Sequence, residues 1–197
     1  MKYLSIDIEA TGLAENCQII EFAMIPFDTQ LKRLEEPLAR TMYIHCPSFE
    51  DLRDSLDPWV REHNEKIIRK ASAEGLMLSE FKEFLIKYLE SPEVRQYFGN
   101  QKVVLFGKSM TAIDLPFLTR DLGWEFMRKY FHHRNLDLSG IGYALIDMGL
   151  LPMGMDSGTN MMNYLGMGSV AHTALEDARN TAIMYLKLLD KFGIKKD

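Results

Sequence analysis

Apolar and polar positions divide the chain into short strands followed by helices. Lys2 to Ile8 carries Tyr3, Leu4, Ile6 and Ile8 in one short apolar segment and reads as a buried strand, ended by a turn at Thr11-Gly12. The run from Gln18 to Phe27 follows so closely that the two predict a hairpin, and Thr41 to His45 adds a third, shorter strand to make an antiparallel meander. Asp57-Pro58 is a helix cap followed by proline in the first turn, leading into a helix from Trp59 to Ala71. A second helix opens near Ser79 and shows Phe81, Phe84, Leu85, Tyr88 and Leu89 at helical spacing. Lys102 to Gly107 encloses Val103-Val104-Leu105-Phe106, a strand buried on both faces.

A helix from Asp114 or Leu115 to Leu122 stops at Gly123. A short strand near Asn135-Leu136 precedes a helix from Ser139 to Met148. Another short helix runs from Thr159 to Leu165 in the glycine- and methionine-rich stretch 149–168. The last helix, Thr173 to Lys191, shows Leu175, Ala178, Ala182, Leu186 and Leu189 as one apolar stripe, and Lys195 to Asp197 reads as a frayed tail. Three strands followed by alternating helices and strands predict an α/β fold. Its mixed five-stranded sheet combines an antiparallel meander with parallel strands, and helices flank it on both faces. The expected organisation is a single domain over 1–197, with its core at about 3–190.

Composition narrows the class. At 47% hydrophobic and 26% charged residues, the chain reads as an ordinary soluble protein rather than a disordered one. No segment approaches the roughly 18 apolar residues of a membrane span, and the first residues do not form a signal peptide. Cys17 and Cys46, without metal-binding spacing, are expected to be reduced thiols, so a cytoplasmic location is expected. The 28 acidic residues against 23 basic ones give a formal charge of −5, which argues against gripping nucleic acid by bulk charge. It leaves room for an enzyme whose acidity is gathered in a metal site.

Three segments offer such chemistry. In Asp7-Ile8-Glu9 the two acids of a strand point to the same face, so they repel unless a proton or a cation intervenes. Oxygen ligands of this kind suit Mg²⁺ or Mn²⁺, although two solvated acids at a strand end would look the same. Asp114 follows the central strand and opens a helix, where an ordinary cap would also stand. His172 precedes the last helix and Asp177 lies in its first turns. Both can reach one space, where the aspartate offers a metal ligand and the histidine a base of near-neutral pKa.

Taken together, D-x-E-x-T-G-L near the start, I-D-x-x-F-L after the central strand and H-x-A-L-x-D-A near the end resemble the DEDDh (DnaQ-like) 3'-5' exonucleases, in the family's order over about residues 3–190. The resemblance implies an RNase H-like fold and release of nucleoside 5'-monophosphates from single-stranded 3' ends of DNA or RNA. It makes Asp7, Glu9, Asp114 and Asp177 the ligands of two divalent ions, Mg²⁺ or Mn²⁺, and His172 the general base. Ala10, Thr11, Gly12 and Leu13 would contact the terminal nucleotide. Thr11 and Gly12 would offer backbone groups near the sugar, and Leu13 would either wedge against the last base or pack in the core. The family often has Asn or His just before the middle motif. Here Ser109 and Met110 stand there, and Ile113 replaces a phenylalanine.

Among the basic residues of the second half, Lys108 and Arg134 are the expected phosphate contacts. Glu21 could reach the active site but is expected in a salt bridge or at an edge, Trp59 in core or interface, and the methionines of 149–168 in flexible packing or a substrate gate. Rivals on the same scaffold are an oligoribonuclease-like RNA trimmer, a polymerase-associated proofreading subunit and a non-catalytic nucleic-acid-binding module. Self-association is open, and no residue reports on whether a 2'-hydroxyl is accepted.

Overall fold

The computed structural model describes residues 1–168 and 173–193. His172 and the expected tail at Lys195 to Asp197 lie outside the described residues. Strand β1 (Lys2–Ala10) is central, paired antiparallel with β2 (Ile19–Asp28) and parallel with β5 (Leu105–Gly107). Beyond β5 lies β6 (Leu136–Asp137), again parallel. The free edge of β2 is shared by β3 (Arg33–Leu34), which pairs its end, and β4 (Arg40–Tyr43), which pairs its start.

Among the described residues the sheet has six strands rather than the expected five, because β3 is two residues long and too short to leave a periodic signal. The β1–β2–β4 meander and the parallel β5 and β6 follow the sequence reading. β5 is shorter than expected, since Val103 makes only an isolated bridge to Phe131.

Alternation along β1 decides which residues meet which layer. Leu4, Ile6 and Ile8 face a core with Phe22, Met24, Phe81 and Leu85. That layer is built from α4 (Leu78–Glu90), α6 (Asp114–Leu122) and α7 (Trp124–Tyr130). Tyr3, Ser5, Asp7 and Glu9 take the other face, under α10 (Ala174–Phe192). On that side Tyr3, Phe27 and Phe106 pack with Ala182, Met184 and Leu188 of α10, and with Leu138 of α8 (Leu138–Asp147) and Met161 of α9 (Gly158–Tyr164).

The buried face of α10 is made largely of small residues, Ala174, Ala178, Thr181 and Ala182. Its backbone therefore lies close to β1, and the Ser5 hydroxyl donates to the Ala178 carbonyl at 2.7 Å. Leu175 and Leu189, expected in the stripe, fall at its margin and are half-buried.

Between β4 and α4 the chain forms α1 (Phe49–Leu52), α2 (Pro58–His63) and α3 (Glu65–Glu74), around Ile20, Phe49, Val60, Ile68 and Ala71. The single helix expected from Trp59 to Ala71 is broken at Asn64, whose φ of −101° and ψ of 4° leave the helical region. Its buried side chain is pulled toward β1, as described below. Three further helices gave no clear periodicity: α1, α5 (Pro92–Phe98) and α7. Both cysteines are free thiols. Among the described residues no helix is long and apolar enough to cross a membrane.

The junction between β5 and α10 sets the stability of this layer. Phe106 is fully buried, with its ring 5.0 Å from that of Phe27 and 5.2 Å from that of Tyr185. Phe106→Ala should cost about 3–5 kcal/mol in urea denaturation, through lost burial and the cavity left behind.

Candidate active site

Asp7 and Glu9 occupy the end of β1 that emerges from beneath the first turn of α10. The alternation that seals Tyr3 and Ser5 under that helix brings the two acids to its open end, where Asp177 projects from the first turn. Carboxylate oxygens of Asp7, Glu9 and Asp177 lie within 4.8 Å of one another. Asp114, the first residue of α6, is only 4% exposed, and its Oδ1 has no hydrogen-bond partner among the described residues. Asp7 interacts electrostatically with Asp114 as well as with Glu9 and Asp177, which puts Asp114 beside the three converging acids. His172, the expected base, cannot be placed because it lies outside the described residues.

Gathering acids at a poorly solvated strand end shifts their protonation. Burial, and then the charges of Asp114, Asp177, Glu9 and Glu21, raise Asp7 well above the ordinary carboxylate range. Burial also pushes Glu9 up to about 7, against a hydrogen bond from Asn64 that favours the charged form. Asp114 is raised to about 7, chiefly by burial, although backbone N–H groups favour its ionised form. An orphan carboxylate oxygen beside three converging acids is the donor set of a hard divalent cation, and the residues fit one.

Buried polar residues that the sequence reading missed hold the acids in place. The Asn64 amide donates to Glu9 Oε2 at 3.1 Å and to the Ala10 carbonyl at 3.3 Å. The helix break and the Glu9 contact are thus one feature. Its only sequence signal is an asparagine inside a helical pattern, a residue that favours helix ends.

Among the described residues Glu21 makes no salt bridge, and its strand is paired on both sides, so neither the salt bridge nor the edge position expected for it is found. It is buried opposite Glu9, and its Oε2 accepts the Ala174 N–H at the start of α10, 3.2 Å away. Asp137 accepts from the N–H groups of Ser109, Thr111 and Ser139 and from the Thr111 hydroxyl, fixing the loop after β5.

The Ala10–Leu13 loop begins at a bulge between Glu9 and Ala10, where the β1–β2 register slips by one residue. The Thr11 hydroxyl accepts the Gln18 N–H, and the Thr11 N–H donates to the Gln18 carbonyl, both at 2.9 Å. Thr11 therefore closes the loop. At Gly12 a Cβ would stand 2.8 Å from Cys17 Sγ, so only glycine fits. Leu13 is 76% exposed, which rules out core packing and leaves its side chain free for a ligand. Trp59 is also outside the core. It is 52% exposed and stacks on His63 with ring centres 4.3 Å apart, on the helix that ends at Asn64.

On the Asp7–Asp177 side a cavity of about 630 Å³ is lined by Lys108, Ser109, Ile113, Thr159 and Asn163, among others. Arg134 is exposed and is not among its lining residues.

No family model matches the chain. It is 32% identical to an oligoribonuclease of Legionella pneumophila over 139 residues, covering 69% of this chain and 68% of the relative. The chain belongs to the DEDDh 3'-5' exonuclease family. Solved structures of the family share its fold. The nuclease domain of 3'hExo bound to rAMP superposes with a TM-score of 0.69 at 18% identity, over 97% of this chain and 92% of that one. E. coli Exonuclease I in complex with a dT13 oligonucleotide gives 0.64 at 17%, over 96% and 41%. This DEDDh exonuclease is accordingly a nucleic-acid hydrolase.

The raised carboxylates couple stability to pH and metal. A carboxyl whose folded pKa lies above its unfolded one stabilises the fold below the unfolded value. That contribution is lost as pH rises through the folded value. For Glu9 and Asp114 the window runs from the ordinary carboxylate range up to about 7. The melting temperature of the EDTA-treated exonuclease should therefore fall between about pH 5.5 and about pH 8, and a divalent ion should raise it more at the higher pH. Equal stabilisation by the ion at both values would contradict the coupling.

Proposed function

We propose that Asp7, Glu9, Asp114 and Asp177 hold two divalent ions, Mg²⁺ or Mn²⁺, and that this centre removes nucleotides from single-stranded 3' ends. The observation that carries the reading is the convergence of three carboxylates within 4.8 Å at the end of the central strand, beside the unpartnered oxygen of buried Asp114. A non-catalytic module would have no reason to keep the desolvated Asp7, Glu9 and Asp114 beside Asp177, since buried carboxylates are costly without a cation. Short RNA is the favoured substrate, because the sequence relative is an oligoribonuclease. Single-stranded DNA is the second reading, supported by the fold shared with an exonuclease that holds a dT13 oligonucleotide.

In the reaction, a water oxygen bonds to the last internucleotide phosphorus, the P–O3' bond breaks, and the O3' leaves with a proton. The product is a nucleoside 5'-monophosphate. Divalent ions held by the four acids would supply charge stabilisation for the attacking and leaving oxygens. His172, immediately ahead of the cap of α10, takes the proton of the attacking water, a role that rests on the motif resemblance. Asn64 keeps the Glu9 carboxylate oriented, and Glu21 fixes the start of the helix that carries Asp177.

The exposed Leu13 side chain is available as a wedge against the terminal base. The Trp59–His63 stack, on the helix running into Asn64, offers an aromatic face for stacking. The Thr11 N–H and hydroxyl are engaged within the loop, so contact with the terminal sugar would fall to the Thr11 carbonyl and the backbone of Gly12.

A time course on single-stranded RNA and DNA, labelled at the 5' or the 3' end, tests the reading. A 5'-labelled substrate should shorten stepwise in Mg²⁺ or Mn²⁺ and stay intact in EDTA. Asp7→Ala and Glu9→Ala should each lower kcat/KM by about a thousandfold or more while leaving the folded spectrum unchanged. Wild-type activity in either variant would overturn the proposal, and cleavage in EDTA would remove the metal from it.

A further inference from the structure

We propose that Lys108 reads a second phosphate of the bound strand, next to the one cleaved, inside the cavity on the Asp7–Asp177 side of the site. The inference rests on the nuclease reading above and deepens it by assigning this cavity to a neighbouring nucleotide. Lys108 and the two acids line the same 630 Å³ space, which is within the range that holds small ligands. Ser109, Ser157, Thr159, Asn163 and Asn180 bring polar groups suited to a sugar-phosphate to its wall, beside the apolar Ile113, Met162 and Met184. The exposed Leu13 and the Trp59–His63 stack belong instead to the Glu9 end of β1. Leu13, Trp59 and His63 do not line the cavity, so a bound strand has a place there apart from them.

The lysine is held by a built loop. Ser109 sits at φ +54°, a left-handed conformation costly for a residue with a side chain. Its N–H is gripped by Asp137 Oδ1 at 2.9 Å and by Ser139 Oγ at 3.1 Å, and its hydroxyl meets Ser139 Oγ at 2.9 Å. On the far side, Lys108 lies along Gly158 at the start of α9. A Cβ there would stand 2.9 Å from Lys108 Cε and 3.6 Å from Nζ. The ammonium makes no hydrogen bond or ion pair among the described residues. A positioned lysine that meets no carboxylate among the described residues, in a cavity that also holds Asp7 and Asp177, is a cation set aside for an anion. A phosphodiester of the substrate strand supplies that anion.

The test is binding of a fluorescent single-stranded RNA tetranucleotide to the full chain in EDTA, followed by anisotropy over a salt series. KM and kcat on the same tetranucleotide are measured in Mg²⁺. Lys108→Ala should weaken binding about tenfold, flatten the log–log salt slope by about 1, and raise KM more than it lowers kcat. Lys108→Arg should restore most of the affinity. Gly158→Ala, which crowds the tip of Lys108 without removing its charge, should weaken binding in the same direction.

An unchanged affinity and salt slope in both Lys108→Ala and Gly158→Ala would overturn the assignment. If Asp7→Ala meanwhile abolishes cleavage, the nuclease centre stands and only the phosphate site fails. Wild-type cleavage by Asp7→Ala would instead show that the underlying reading has failed.

Discussion

The mutual repulsion of carboxylates at the end of a buried strand is the constraint on which the rest of the site depends. Asp7 and Glu9 share a face of β1 because strand alternation leaves them no other, and α10 and α6 add Asp177 and Asp114. Water that would ordinarily screen four such charges is partly displaced by the packing that forms the fold, so Asp7, Glu9 and Asp114 all hold their protons more tightly than exposed acids do. A divalent cation relieves in one step both the repulsion and the missing solvation. The fold is thus organised around a charge that the chain does not itself provide.

That arrangement works only if the acids cannot swing apart, and buried polar groups prevent it. Small residues on α10 let its backbone rest on Ser5, which sets the height of Asp177 above β1. Glu21 accepts the first N–H of the same helix, so the helix start is tied to the strand paired with β1. Asn64 ends one helix and starts another while its amide reaches Glu9 and the Ala10 carbonyl. Each group satisfies a buried hydrogen-bonding need and holds one of the clustered acids, or the element that carries it, in place. Local irregularities, the bulge after Glu9 and the helix break at Asn64, are therefore part of the site.

Local periodicity made the places of these acids legible, at a strand end and at helix starts, while their reading as one set came from the resemblance of the three motifs taken together. The strand positions of Asp7 and Glu9 and the opening of a helix at Asp114 needed no tertiary information. The supporting residues did, since nothing local distinguishes Asn64 from a mid-helix asparagine or Glu21 from a solvated acid. Their roles are set by partners 55 and 153 residues away. Leu13 was ambiguous for the same reason. Only the turn of the loop, held by Thr11 and Gln18 and permitted by Gly12 over Cys17, puts it in solvent. Strand β3 and helix α1 escaped because two and four residues are too few to establish a period.

Charge distribution then bears on how such a chain meets a polyanion. A formal charge of −5 gives no general attraction for nucleic acid, and the four acids of the site would repel a phosphate outright. Bound divalent ions reverse the local field where the scissile phosphate must lie, while the remaining surface stays near neutral. Long strands, which gain affinity from many phosphate contacts, obtain little extra from such a surface. A short strand or a free end obtains nearly all that is available, because its few phosphates fall within reach of the ions and of a neighbouring cation. Positive charge concentrated at one metal-dependent point would favour strand ends, and a neighbouring lysine would leave a part of the affinity that does not depend on metal.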